Sequence, residues 1–576
     1  MHRFRVWAPK ARRVAVGVGS NRISMERGQD GWWEAAVDAA GPGTDYVFFL
    51  DDEDLALPDP RSRWQPHGVH GRSRIFEPGE FRWTDAGWQP PPLASAILYE
   101  LHIGTFTPEG TFDSAQSRLS ALRDLGITHV ELMPVNSFPG RRGWGYDGVD
   151  LFAPQEPYGG PEALMRFVNA CHEKGLAVVL DVVYNHLGPT GNYLGRFGPY
   201  FTSAHHTPWG DAVNLEGAGS REVRRFFCDN ALMWLRDYHF DGLRLDAVHA
   251  FIDRSAIHFM EQIAGEVHAL EGRTGRSYAI IAESDLNDPR VVRAREAGGY
   301  GMDAQWSDDF HHALFTVLTG DCNGYYADFG RLDQLAKSLR EVFVYDGVYS
   351  PYRDRVHGAP VRGLPGWRFL GYSQNHDQVG NRAKGERLSH LAGLGRAKIA
   401  AALELTAPFV PMIFQGEEWA ASSPFQYFTD HEPELGALVS EGRKKEFASF
   451  GWDPSEVPDP QASATFERSK LNWHERSRPP HAEMLEWYRE LIALRTGTPE
   501  LSDGDLSRVQ VRSSETEHWL AMERGSITVV FSVADQPVTL EIRPAAALRL
   551  ASGADVTLRK GQLTLPPDTV AVLSRG

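Results

Sequence analysis

Between about Ala94 and Thr496, short apolar runs alternate with amphipathic stretches, and no other feature constrains the fold of this chain as strongly. The runs are A-I-L-Y-E-L-H near Ile97, H-V-E-L-M-P near Val130, A-V-V-L-D-V-V near Val179, G-L-R-L-D near Leu245, A-I-I-A-E near Ile281, M-D-A-Q-W near Ala304, F-L-G-Y-S-Q near Gly371 and P-M-I-F-Q-G near Ile413. Apolar strands alternating with helices mark βα units and a parallel sheet. Eight of them in about 400 residues fit a closed (β/α)8, or TIM, barrel with loop insertions better than an open sheet. Helix boundaries are legible in places: S-A-Q-S-R-L-S-A-L-R-D-L-G stops on Gly126, and P-E-A-L-M-R-F-V-N-A-C-H-E-K-G opens with Pro161 and stops on Gly175. The Gly-, Pro- and aromatic-rich stretch from Tyr184 to Gly219 is expected to leave the barrel after the third strand and build part of a binding cleft.

The flanks read differently. Residues 1–89 are short alternating segments (F-R-V-W, R-V-A-V-G-V, W-W-E-A-A-V, D-Y-V-F-F-L) between Gly, Pro and Asp turns, which predicts an immunoglobulin-like β-sandwich. Alternation returns in residues 497–576 with S-I-T-V-V-F-S-V and V-T-L-E-I, predicting a second β-sandwich around a barrel domain of residues 90–496. A chain of 576 residues is too long for one core, so several domains are required. The net charge of −17 argues against nucleic acid or an anionic membrane surface as partner. Sixteen tryptophans are compatible with flat ligands such as sugar rings. Three cysteines suggest no disulfide framework, and neither a signal-like apolar region nor a membrane-length run occurs, so a soluble cytoplasmic protein is expected.

In such a barrel the chemistry sits at the C-terminal strand ends. The third ends D-V-V-Y-N-H with Asp181 and His186, the fourth L-R-L-D with Arg244 and Asp246, the fifth I-I-A-E with Glu283, and the seventh runs into S-Q-N-H-D with His376 and Asp377. Period-2 alternation in F-D-G-L-R-L-D-A-V-H-A sends Leu243 and Leu245 to one face and Arg244 with Asp246 to the other. The arginine keeps Asp246 ionised and nucleophilic, whereas the apolar run Ile280-Ile281-Ala282 desolvates Glu283 and favours its acid form. One ionised and one protonated carboxyl on adjacent strands, roughly 5–5.5 Å apart, is what retaining glycoside hydrolysis requires. Asp377 is suited to stabilising an oxocarbenium-like transition state, and His186 and His376 to gripping hydroxyls. Asp181 is expected to brace neighbouring strand ends, and Glu100, His102 and Glu131 to be polar core. No metal is expected, since the histidines lack paired zinc spacing and no EF-hand pattern occurs, and no cofactor is called for.

These four ordered segments, Asp181–His186, Gly242–His249, Ile280–Ser284 and Ser373–Asp377, resemble the signature regions of the α-amylase family of glycoside hydrolases. The resemblance implies Asp246 as nucleophile, Glu283 as general acid/base and Asp377 as transition-state stabiliser. It also implies Tyr146, in W-G-Y-D-G-V, as a platform beneath the sugar, with His186, Arg244 and His376 as further contacts. The N-terminal sandwich followed by L-Y-E-L-H-I-G-T-F-T-P-E-G-T-F resembles two subgroups, glycogen branching enzymes and maltooligosyltrehalose trehalohydrolases, including their carbohydrate-associated modules. A-E-S-D-L-N-D-P-R, P-W-G-D-A-V-N-L-E-G and N-H-D-Q-V-G-N-R-A-K-G-E-R-L are similar to the trehalohydrolases, and Ser284 stands where branching enzymes place a second Glu. The implied reaction is hydrolysis of the α-1,4 bond beside the terminal trehalose of maltooligosyltrehalose, with branching-type transfer as the alternative. Trp209, Glu417, Glu418 and Trp419 are then candidates for selecting trehalose on the leaving-group side, each with rim packing or barrel support as its other reading.

Overall fold

The computed structural model describes residues 1–449, 453–542 and 546–575. All eight apolar runs become strands: β1 (Leu98–Leu101), β2 (His129–Leu132), β3 (Ala177–Val182), β4 (Gly242–Leu245), β5 (Ala279–Ala282), β6 (Ala304–Trp306), β7 (Phe369–Gly371) and β8 (Val410–Phe414). They close into one barrel in chain order, β8 pairing with β1. Every neighbouring pair is parallel. Strand alternation sorts the layers. Leu98, Val179, Ile281, Ala304, Trp306, Leu370, Val410 and Met412 fill the interior, while Val130, Leu132, Leu243 and Leu245 join the larger core that faces the helices.

The helix ends follow their sequence signals. The helix Gly160–Glu173 carries Pro161 in its first turn, and Gly175 takes φ 74° just after it. The helix expected to stop on Gly126 is split into Phe112–Gln116 and Leu119–Leu125, with Gly126 capping the second piece at φ 104°. The connection from β5 to β6 carries a single 3-10 turn, Arg295–Ala297. The excursion after β3 folds into a hairpin, Phe201–Thr207 with Gly210–Val213, before the helix Ser220–Asp237 returns to the barrel.

Before the barrel lie a three-stranded and a four-stranded antiparallel sheet, built on His2–Trp7 and Val14–Val18. After it come a five-stranded and a three-stranded antiparallel sheet that share an apolar layer of Ala521, Val530, Leu563, Leu565 and Ala571. The segment joining the first sandwich to β1 is stapled to the N-terminal end of the barrel. Buried His172 bridges Asp85 and Asp241 at 2.9 Å each, and Trp88 donates to Asp241 at 2.8 Å. Burial works against the His172 charge, but Asp241 and Asp85 outweigh it and raise its pKa.

Candidate active site

Parallel register brings Asp181 on β3 beside Arg244 on β4, and Arg244 beside Ile281 on β5. Arg244 is fully buried, its guanidinium 4.2 Å from the Trp306 ring centroid. One nitrogen, Nη1, donates to Asp181 at 2.6 Å and to Asp246 at 2.9 Å, while Nη2 lies 2.8 Å from Glu283 Oε2. A single fixed cation therefore touches three carboxyl groups from three adjacent strands. A buried charge in that position is tolerable only because its partners are ionic.

The two carboxyls beyond the strand ends are held differently. Asp246 accepts from Asn185 Nδ2 at 2.7 Å, and the same amide nitrogen donates to the Asp246 main-chain carbonyl at 2.9 Å. Ala247 then turns the chain through the left-handed region at φ 39°, costly for a residue with a side chain. That turn aims its N–H at Glu283 Oε2, 2.8 Å away. Burial, opposed by Arg244 and reinforced by Asp246, raises the Glu283 pKa. This is the desolvation expected from Ile280-Ile281-Ala282.

Across the mouth, Tyr146 donates to Asp181 at 2.6 Å and meets His376 Nε2 at 2.7 Å, the two rings nearly parallel with centroids 5.1 Å apart. Glu100 on β1 grips His376 through both its Nδ1 and its main-chain N–H. Burial opposes the His376 charge, yet Asp377 and Glu100 push its pKa up to about 9. Asp377 Oδ2 lies 3.4 Å from His376 Nε2, its side chain about one-third exposed to the cleft. His186 is pushed down to about 4 by burial, so its neutral ring presents Nδ1 to the Asn185 side-chain oxygen. Trp209, at the tip of the excursion hairpin, stacks on it with centroids 4.7 Å apart and 8° between planes. Trp209 is 47% exposed.

The structure thus gathers Tyr146, His186, Trp209, Arg244, Asp246, Glu283, His376 and Asp377 around one mouth. Of the readings open for Glu417, Glu418 and Trp419, the structure supports barrel support, since all three are buried and do not line a cleft rim. Gly416, at φ 80°, turns the chain so that Glu417 accepts from Ser373 and Tyr488, and Glu418 from Tyr99. Asp181 does brace strand ends, but it also holds Tyr146, and burial raises its pKa to about 7 against the pull of Arg244. Sequence reasoning missed Asn185, and it read Glu100 as plain core. The alternation that turns Arg244 inward also turns Glu100 and Glu131 inward, opposite Tyr99 and Val130, which was the available signal. Among the described residues no cluster of His, Cys, Asp and Glu could hold a metal ion.

Comparison with known proteins sharpens this picture. A family profile described as "Alpha amylase, catalytic domain" matches residues 75–198. The malto-oligosyltrehalose trehalohydrolase of Rhizobium sp. (strain M-11) is 50% identical over 99% of this chain and 97% of its own. That of Arthrobacter ramosus is 51% identical over 93% of both chains. The chain belongs to the malto-oligosyltrehalose trehalohydrolase family. For this trehalohydrolase-family chain, similarity to a branching enzyme of Ralstonia nicotianae is weaker, 33% identity over 55% of the chain and 47% of the relative. A crystal structure titled as a putative α-amylase from Salmonella typhimurium is 38% identical, covers 100% of this chain and 97% of its own, and superposes with a TM-score of 0.91. These matches cover the flanking sheets of this chain as well as its barrel.

Proposed function

We propose that the chain is a retaining glycoside hydrolase that cleaves the α-1,4 bond next to the terminal trehalose of maltooligosyltrehalose and releases trehalose. The observation that carries the mechanism is the shared guanidinium. Arg244 contacts Asp246 with one nitrogen and Glu283 with the other, so the two carboxyls stand a guanidinium's width apart. That spacing suits a pair roughly 5–5.5 Å apart, as in retaining enzymes. Asp246, in a cradle of charge and amide donors, attacks the anomeric carbon as the carboxylate. Glu283, desolvated and raised, gives its proton to the departing trehalose oxygen as the glycosidic C–O bond breaks. In the second half, ionised Glu283 takes a proton from water, the water oxygen bonds to the anomeric carbon, and Asp246 leaves.

Asp377, 3.4 Å from cationic His376, stabilises positive charge developing on the sugar ring. Tyr146, held by Asp181 and His376, supplies the apolar platform, and His186 with Trp209 supplies a flat wall for an α-glucan. Identity near 50% with full-length trehalohydrolases supports release of trehalose over branching. Three unpaired cysteines, two of them buried, are consistent with a reducing cytoplasm. Incubation with maltooligosyltrehalose should release trehalose with retention at the new reducing end. New α-1,6 branches in amylose without trehalose release would overturn the reading.

A further inference from the structure

From β4 to β7, only β6 ends in residues that no step of the proposed reaction uses. It lies between β5, which carries Glu283, and β7, which leads to Asp377. Two aspartates follow it at the start of the helix Asp308–Thr319, and they are held in opposite ways. Asp309 is buried, and its Oδ2 accepts from Asn287 Nδ2 at 2.9 Å and from the main-chain N–H groups of Val344 and Tyr345 at 2.6 and 2.9 Å. It ties three segments together and is accounted for by the fold.

Asp308 is not. Its Oδ1 accepts from the Tyr372 hydroxyl at 2.5 Å; among the described residues its Oδ2 has no hydrogen-bond partner, and no Lys, Arg or His pairs with it. That oxygen is not sealed in, since the residue is partly exposed. Burial raises the Asp308 pKa to about 7; the Tyr372 bond opposes the shift, and the nearby charges of Glu283, Asp285 and Asp309 add to it. Tyr325, itself at the surface, lies in the fields of both Asp308 and Asp377. The open oxygen therefore faces the mouth beside the general acid. A half-buried carboxyl set among other carboxyls without a cation costs free energy, and groups held in this way gather at functional sites.

We propose that Asp308 is a specificity-determining residue whose Oδ2 takes a hydroxyl of the departing trehalose. The inference rests on the trehalose-releasing reaction proposed above. Glu283 protonates the leaving oxygen, so a polar group beside Glu283 meets the leaving sugar. Trehalose and maltose have the same composition and differ in how their two rings join, so apolar surface discriminates poorly between them, whereas a fixed hydrogen-bonding group does so strongly. Tyr372 supplies the fixing: by holding Oδ1 it sets the direction of Oδ2 before substrate arrives.

Maltotriosyltrehalose and maltopentaose contain the same number of glucose units and differ only in the last linkage. The readout for the full chain is the ratio of kcat/KM for trehalose release from the first to that for maltose release from the second. Asp308→Ala should lower this ratio about tenfold, the loss of one charge-assisted hydrogen bond. Any effect of the substitution on Glu283 acts on both substrates and cancels. Tyr372→Phe, which leaves the carboxyl unheld, should lower the ratio less, and Tyr372→Phe with Asp308→Ala should fall to the value of Asp308→Ala. The double variant leaves no buried hydroxyl unpaired, so it remains readable where Asp308→Ala folds poorly. A wild type that releases no trehalose overturns the reaction and this inference together. Trehalose release by the wild type with an unchanged ratio in Asp308→Ala, or a double variant equal to Tyr372→Phe, overturns this inference alone and leaves Asp308 as a partner for Tyr372.

Discussion

Glu283→Gln separates a general acid from a residue that merely fills the mouth. The substitution is isosteric, and its amide oxygen can keep the bond to the Ala247 N–H that fixes the wild-type side chain at 2.8 Å. What it removes is a transferable proton in the first step and a base in the second. General acid–base help is commonly worth 10²–10⁴, and one group serves both halves, so kcat should fall at least about 10³-fold, or about 4 kcal/mol at 1.36 kcal/mol per tenfold. The pH profile adds a second readout. Burial raises the Glu283 pKa, and the acid is the form needed, so wild-type activity falls as pH rises through that raised value. The variant has no such group and should lose that alkaline limb. Trehalose released from maltooligosyltrehalose, measured across pH at saturating substrate, reads both. A loss under tenfold, or an alkaline limb that persists unchanged, refutes the assignment.

Three further outcomes follow from the same geometry. Trp209→Ala should raise KM about threefold to tenfold with the fold intact, because stacking is worth about 0.5–1.5 kcal/mol and the indole is 47% exposed; an unchanged KM for maltooligosyltrehalose removes it from the binding wall. His172→Gln should destabilise the chain by about 1.5–3 kcal/mol at low pH, removing the cation that bridges Asp85 and Asp241 while Arg276 stays near both and His239 stays on Asp85. Since the folded pKa of His172 is raised, its contribution is complete below the unfolded value and lost as pH rises through the folded one, so the Tm gap between wild type and variant should narrow with rising pH. Leu243→Ala should cost about 2–5 kcal/mol in a denaturation curve while leaving kcat of the folded fraction unchanged, since its side chain packs toward the helices.

Strand periodicity made the barrel and most of its mouth legible, because one rule settles both the layer a residue joins and the direction it faces. Leu243 and Leu245 fall in the outer core and Arg244 in the interior from a single two-residue repeat. The open cases lie where the chain leaves that repeat. Glu417 to Trp419 stand past β8, as Glu283 stands past β5, and the local feature that separates the two cases is Gly416 before Glu417. The difference is the backbone. Glu283 continues the line of its strand and hydrogen-bonds back to Leu245 through its own N–H, whereas Gly416 takes φ 80° and folds Glu417 and Glu418 under the strand ends to meet Ser373, Tyr488 and Tyr99. Glu100 is buried polar core as expected, and what stays hidden in the sequence is its partner. Its inward direction was legible, but its partner His376 lies 276 positions away, and only closure of β8 onto β1 brings the seventh strand's loop across to it. Position past a strand end therefore nominates a residue for the mouth, and the first turn after the strand, set by whether a glycine is there to reverse it, decides whether the nomination holds.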